Sequence, residues 1–485
     1  MLPENDSAST SFYLYLCTFV SLLVGFQFGF NSGVINQPRK AITKCTQPDS
    51  GIFVNCIPMD DLFNGVIGGL IGGFLAAKYG RKAVLIYNNL FFIIGGLFLS
   101  LGNEVVWLCV GRVLLGIGSG IGTVVLPTYI SELAPNAYRG MFGTFNQLSI
   151  VVGVFTSLTI GIPLSTPEYW RILFSLTLVP SLFQILLMPY CTETPKWLAS
   201  RGRIYDAREA LVALRGSNDI EEELEEILLI SGNVLESPSQ HFEEGIFAND
   251  NNNNITSPIR SQINNTGIQW PLSTLEMFQC KALRRVLISA FSLQFAQQFS
   301  GINVATFYST TIFENSYSPE TAIKLTPLLS IIIMIGTIIS LFLIEKLGRK
   351  SLLITSMTGM SISSFLIALP VEQLPSLIVC YFIVFTFFFA LGLGSIPWLI
   401  LPELIPVYAL GPASGIATAI NWGGSFIIAL FSPVLISVMG YQLFFIFTVI
   451  LVLMIVLTYF VIPETKGKTA EELVGYYVPV DEGHE

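Results

Sequence analysis

Gln294-Phe-Ala-Gln297-Gln298-Phe-Ser-Gly301-Ile-Asn303-Val-Ala-Thr-Phe307-Tyr308 lies near the start of the second half of the chain. It belongs to an apolar run from Val286 to Phe313, longer than the roughly 20 residues a helix needs to cross a bilayer. Amides are costly in such a run, because each must find a partner where there is no water. Gln294, Gln297 and Gln298 fall at i, i+3 and i+4, so a helix projects all three from one side. Gly301 then loosens the helix just before Asn303. Membrane helices use Gln and Asn to bond one another. Four amides within ten residues, with no charge among them, suit a ligand made of hydroxyls.

Outward from this stretch the whole chain has the same character. Its 485 residues are 52% hydrophobic and only 12% charged, with a mean hydropathy of +0.67. A soluble protein carries about 25% charged residues. The chain is therefore read as an all-α integral membrane protein. Twelve apolar segments are expected at 12–35, 60–77, 83–102, 107–130, 142–163, 172–191, 283–312, 322–344, 351–369, 376–400, 412–436 and 441–462. The first follows an acidic amino end and lacks a small-residue cleavage site, so it reads as a retained helix.

Positive residues set the orientation. With the amino end in the cytoplasm, 18 of the 24 Lys and Arg fall on the cytoplasmic side, nine of them in the central loop. The other side keeps Arg39, Lys40, Lys44, Arg112, Arg171 and Lys324. Both termini are then cytoplasmic, with a tail at 1–11, a first half at 12–192, a linker at 193–282, a second half at 283–462 and a tail at 463–485. In the linker, Lys196 to Arg215 has helical spacing, and Glu221-Glu-Glu-Leu-Glu-Glu226 reads as a solvated helix face. Asn249 to Asn254 has the composition of a disordered segment. Asn254-Ile-Thr256 and Asn264-Asn-Thr266 match the glycosylation pattern but lie on the wrong side of the membrane to be used. Glu225-Glu-Ile-Leu-Leu229-Ile230 has the form of an acidic dileucine sorting signal. Cys45 and Cys56 share a loop on the side that is oxidising in most membranes, where a disulfide could form.

The chain also repeats itself. Gly80-Arg81-Lys82 recurs 268 residues on as Gly348-Arg349-Lys350. Glu132 and Glu403 are 271 residues apart, as are Glu193 and Glu464. Nearly one offset at three landmarks means two six-helix halves built alike, with room for a substrate between them near the midplane.

In motif content and order the chain resembles the sugar porters of the major facilitator superfamily, and among them the facilitative glucose transporters. The resemblance rests on Gly80-Arg-Lys82, Pro127-Thr-Tyr-Ile-Ser-Glu132 with Arg139-Gly140, Asn146-Gln147, Glu193-Thr-Pro-Lys196, Gln297-Gln-Phe-Ser-Gly-Ile-Asn303, Ile396-Pro-Trp398 with Glu403, Asn421-Trp422 and Pro463-Glu-Thr-Lys-Gly467. It implies a sugar site of Gln147, Gln297, Gln298, Asn303, Trp398, Asn421 and Trp422, and an outer gate of Phe307 and Tyr308. It also implies a cytoplasmic gate of Arg81, Glu132, Arg139, Glu193, Glu345, Arg349, Glu403 and Glu464. The chemistry is consistent: amides meet a pyranose rim and an indole meets its C–H face. Trp398 sits among Gly392, Gly394, Pro397 and Pro402, where a helix must bend or break. Trp422, taken alone, is assigned more to packing.

Three departures from the family pattern stand out. Where the glucose transporters carry Glu in the tenth segment this chain has Ala390, and where they carry Asn in the eighth it has Ile333. Their Arg after Glu403 falls on Leu410, which weakens the expected gate network and biases the resting state toward the inward-facing form. The gate pairs are expected to be exposed, contributing about 0–1 kcal/mol each.

Energy coupling is excluded by type. Gly467-Lys-Thr469 lacks the glycine that would make it a phosphate loop, so ATP is not expected. The position that is Asp in proton-coupled relatives is Asn31, which cannot take up a proton. No cofactor, metal or nucleic-acid partner is expected, since Lys and Arg are few and no metal spacing is present. The expected protein is a hexose uniporter, glucose first, working as a monomer in the plasma membrane. A carrier of another hexose or polyol, proton-coupled or not, an endomembrane location, and a sugar sensor that does not transport are the alternatives.

Overall fold

The computed structural model describes residues 11–34, 51–164, 166, 168–231, 274–280, 283–307, 313, 317–369, 375–468 and 470–477. The first half holds α1 (Phe12–Gly33), α2 (Gly51–Tyr79), α3 (Arg81–Leu101), α4 (Val105–Leu133), α5 (Arg139–Leu164) and α6 (Trp170–Tyr190). Linker helices α7 (Pro195–Ser200), α8 (Ile204–Arg215), α9 (Glu221–Ser231) and α10 (Thr274–Gln279) follow. The second half holds α11 (Arg284–Gln298) with α12 (Ile302–Phe307), α13 (Pro319–Leu347), α14 (Arg349–Ala368), α15 (Pro375–Leu391) with α16 (Ile396–Leu404), α17 (Val407–Met439) and α18 (Leu443–Val461). The short α19 (Ala470–Tyr477) ends it. Counting α11–α12 and α15–α16 each as one interrupted span gives twelve spans in two sets of six.

Local chemistry sets the boundaries. Ser11 caps α1, accepting from the Leu14 N–H, and Ser318 followed by Pro319 starts α13 in the same way. Gly80 and Gly348, at φ +94° and +83°, take the backbone through a conformation other residues rarely adopt, separating α2 from α3 and α13 from α14. Gly301, also at φ +94°, separates α11 from α12, and a Cβ there would press into the Phe447 ring. Large apolar side chains such as Phe74, Phe183, Phe342 and Phe460 point outward, as they must where the solvent is lipid.

Each half has its own buried apolar core, and a third, smaller core unites α7, α8 and α9. The halves meet along two seams, α2 against α17 and α5 against α13, while α16 reaches α4 and α5.

Arg112, counted above with the side opposite the amino end, is 1% exposed inside the first half, donating to the Asn31 carbonyl and lying over the Phe174 ring. A long side chain near a helix end can turn inward, and counting charges cannot tell which way it turns. In the Glu221–Glu226 run, Glu221, Glu222 and Glu225 are exposed, as a solvated helix face requires, while Leu224 is buried. Glu221 pairs with Arg208 at 2.8 Å, and Glu223 pairs at 2.6 Å with Arg215, which also donates to the Leu133 carbonyl at the end of α4. Cys45, the Asn254 and Asn264 motifs and the Asn249–Asn254 tract lie outside the described residues, as do the side chains of Cys56, Leu229 and Ile230.

Candidate functional site

The site begins at a broken helix. Pro397 has no N–H, so it cannot bond the carbonyl four residues back, that of Leu393. The chain is accordingly interrupted between Leu391 and Ile396. A bare carbonyl in a bilayer is costly. Gln297 Nε2, from the facing α11, donates to Leu393 O at 2.9 Å and to Gly394 O at 2.8 Å. Gln294 Nε2 donates to Pro397 O at 3.0 Å. Gln297 thus makes good what the proline removes, and Gln294 ties the start of α16 to α11.

The remaining amides close a web. Asn421 Nδ2 donates to Gln294 Oε1 at 2.8 Å and to Gln297 Oε1 at 2.7 Å. Gln298 Nε2 donates to Asn421 Oδ1 at 2.8 Å, and Asn303 Nδ2 to Gln298 Oε1 at 2.6 Å. Such reciprocal bonding holds each amide in one orientation, which is the preorganisation a polar recognition surface needs.

A cavity of about 210 Å³ lies between the halves. All seven residues expected from the sequence line it: Gln147 from the first half, and Gln297, Gln298, Asn303, Trp398, Asn421 and Trp422 from the second. Gln294 does not; it is fully buried behind the others and acts as structural glue. Trp422 does more than pack. Its ring lies on Gly65 and 5.2 Å from Phe28, and its Nε1 donates across the seam to Thr123 Oγ1 at 3.1 Å. Thr123, Thr326 and Ser330 also line the cavity and escaped the sequence reading. Thr326 and Ser330 are spaced i, i+4, a usable signal, but hydroxyls in membrane helices often bond their own backbone, as Thr326 does to Ala322 O at 3.2 Å.

Asn31 is buried beside the first-half core. Its Oδ1 accepts from Thr177 Oγ1 at 3.0 Å, at the loosened turn inside α6. Phe307 ends α12, its side chain outside the described residues together with all of Tyr308.

At the helix ends that carry the repeated motifs, the charged landmarks pair within halves. Arg81 Nη2 meets Glu132 Oε1 at 2.9 Å, and Arg349 Nη2 meets Glu403 Oε1 at 2.9 Å, both pairs almost fully buried. The expectation that these pairs are exposed is therefore corrected. The helix ends shut these charges away from water, so removing one partner strands the other at a cost of about 3–5 kcal/mol. Glu193 accepts from the N–H groups of Arg81, Lys82 and Thr194 at 3.0, 3.0 and 2.9 Å. Burial pushes its carboxyl above the ordinary value, and the Thr194 and Lys82 N–H groups pull it back. Glu464 caps Arg349 and Lys350 in the same manner.

One carboxylate does join the halves. Glu345 Oε2 meets Arg349 Nη1 at 3.2 Å, while Oε1 accepts from the Met141 N–H at 3.2 Å. A Cβ at Gly140 would overlap Glu345 Oε1, and one at Gly143 would overlap Leu399, so these glycines permit the approach. Arg139, half-buried at the start of α5, lies in the field of Glu403. The helix ends that carry these charges are together in this conformation, and Leu410 is buried in the core.

A family model described as "Sugar (and other) transporter" matches residues 16–475. The chain belongs to this family. It is an integral, multi-pass membrane transporter and not an enzyme. The chain is 30% identical to the facilitated glucose transporter member 3 of solute carrier family 2 from Oryctolagus cuniculus, over 95% of this chain and 92% of that one. The Homo sapiens member 3 is also 30% identical, over 94% and 90%. The proton:xylose symporter XylE bound to 6-bromo-6-deoxy-D-glucose shares the fold with a TM-score of 0.80 at 24% identity, covering 96% of this chain and 99% of that one. The inward open conformation of the xylose transporter XylE from E. coli gives 0.69 at 23% identity, covering 96% and 100%.

Proposed function

We propose that this transporter is a facilitative carrier of a hexose, glucose first among the candidates, working by alternating access. The observation that carries the reading is the web of neutral amides on one wall of a cavity between two six-helix halves. Gln147, Gln297, Gln298, Asn303 and Asn421 bond the sugar hydroxyls in place of water, and Trp398 and Trp422 offer apolar faces to the ring. The relatives named as facilitated glucose transporters support glucose as the first sugar to test. Opening to the cytoplasm parts Glu345 from the Met141 N–H while the buried pairs inside each half stay intact. Closure on the other side falls to Phe307 and Tyr308. Both termini face the cytoplasm, and the plasma membrane is the proposed location. The protein works as a monomer.

Asn31 supports transport without a proton. A neutral amide bonded to Thr177 has no charge to exchange, whereas symport needs a group that titrates in the membrane. Uptake of labelled hexoses into liposomes holding the purified protein tests both points. We expect influx down the sugar gradient, at a rate unchanged when the outside is made mildly acidic or mildly alkaline. Influx that requires a proton gradient would make the protein a symporter, and binding without influx would make it a sensor.

A further inference from the structure

The cavity has two unlike walls. The amide web covers the side formed by α11, α12 and α17. The side formed by α5, α13 and α15 presents branched and aromatic carbon, with Val151, Ile333 and Phe389 facing the cavity. Val151, Ile333 and Ala390 form one small buried cluster of their own, contributed by both halves. Ala390 is fully buried and does not reach the cavity: a Cβ built on Gly336 would stand 2.8 Å from its methyl. Ile333, one helical turn before Gly336, lines the cavity at 7% exposure and is packed with Ala390. Thr326 and Ser330 put hydroxyls on the same helix, but two turns and one turn before Ile333.

This wall decides which sugar edge is tolerated. A hydroxyl pressed against Val151 and Ile333 gives up its water and finds no donor or acceptor in return, whereas a C–H edge there loses nothing and gains apolar contact. Resting on the transport reading above, we infer that the preferred substrate is a deoxyhexose, a hexose lacking one hydroxyl and seated with that edge against Val151, Ile333 and Phe389. Val151 lies one turn from Gln147 on α5, so Gln147 holds the hydroxyl next to the missing one. Ala390 and Ile333 act together: a carboxylate restored at 390 alone would be buried under the isoleucine.

The test is calorimetric titration of the full chain in detergent with D-glucose and with its 2-, 3-, 4- and 6-deoxy analogues. At least one analogue is expected to bind about tenfold more tightly than glucose. In the Ile333→Asn/Ala390→Glu double variant that order is expected to reverse, while Ala390→Glu alone weakens all five sugars. Glucose binding as tightly as or more tightly than every analogue in the unmodified protein would overturn the inference and leave hexose transport standing. An analogue preference that survives the double variant would also overturn it, by removing the role of this wall. Heat from none of the five would sink both this inference and the transport reading. Should the double variant fail to fold, the ranking in the unmodified protein decides alone.

Discussion

The two halves are nearly superimposable in chemistry at the helix ends that carry the repeated charged motifs and unlike at their middles. Gly80 and Gly348 share a positive φ, and a Cβ on either would run into the carboxylate, Glu193 or Glu464, that caps the next helix. Lys82 Nζ donates to Pro189 O at 2.8 Å, and Lys350 Nζ to Tyr459 O at 2.7 Å. At the midplane the likeness ends: the second half supplies the amide web, and the first supplies Gln147, Thr123 and apolar surface. A hinge must work identically on both sides, whereas recognition needs only one well-built wall. Even the gates differ in one detail. Thr465 Oγ1 donates to Glu403 Oε2, but the matching Thr194 Oγ1 and Glu132 Oε2 have no partner among the described residues.

That detail orders the first test. Arg349→Ala should cost about 3–5 kcal/mol, because Glu403 and Glu345 both lose their cation. Arg81→Ala should cost less, since only Glu132 is stranded. Thermal unfolding of the two variants in the same detergent checks the order, and equal losses would mean the gates are energetically alike after all.

Gln297→Ala should come next, at about 1–3 kcal/mol, because it bares the Leu393 carbonyl as well as the cavity wall. Gln147→Ala should leave stability unchanged and abolish only uptake. A Gln147 variant that melts as early as the Gln297 variant would place the first-half amide in the structural web too. Two glycines at matching places in the two halves extend the comparison. Gly140→Ala should lose about 1–3 kcal/mol by overlapping Glu345. Gly411→Ala, whose added methyl would meet Ala77 at 3.3 Å, should stay nearer neutral in the same melting assay.

The parts that were legible in the sequence are those written as repeats or as breaks in hydropathy. The Gly-Arg-Lys and Glu landmarks marked the charged helix ends, and Gly301 placed the interruption of the seventh span, because local backbone chemistry acts without reference to neighbours. All seven cavity residues carried their signal as polar or aromatic side chains in apolar runs. What escaped depends on distant contacts. Nothing near Gln297 says that its partner is a carbonyl orphaned by Pro397, roughly a hundred residues away. Burial of Arg81 and Arg349 follows from how helix ends crowd together, and the inward turn of Arg112 from a pocket that only tertiary packing makes. Ile333 and Ala390 read singly as two lost polar groups. Together they are a surface.

The repair of the tenth span by the seventh has a mechanical consequence. A kink whose loose carbonyls are tied off from outside cannot straighten or slide without first untying them, so the two interrupted helices travel as a single piece. Damage to either one should therefore be felt at the other, even where the altered residue is remote from the cavity.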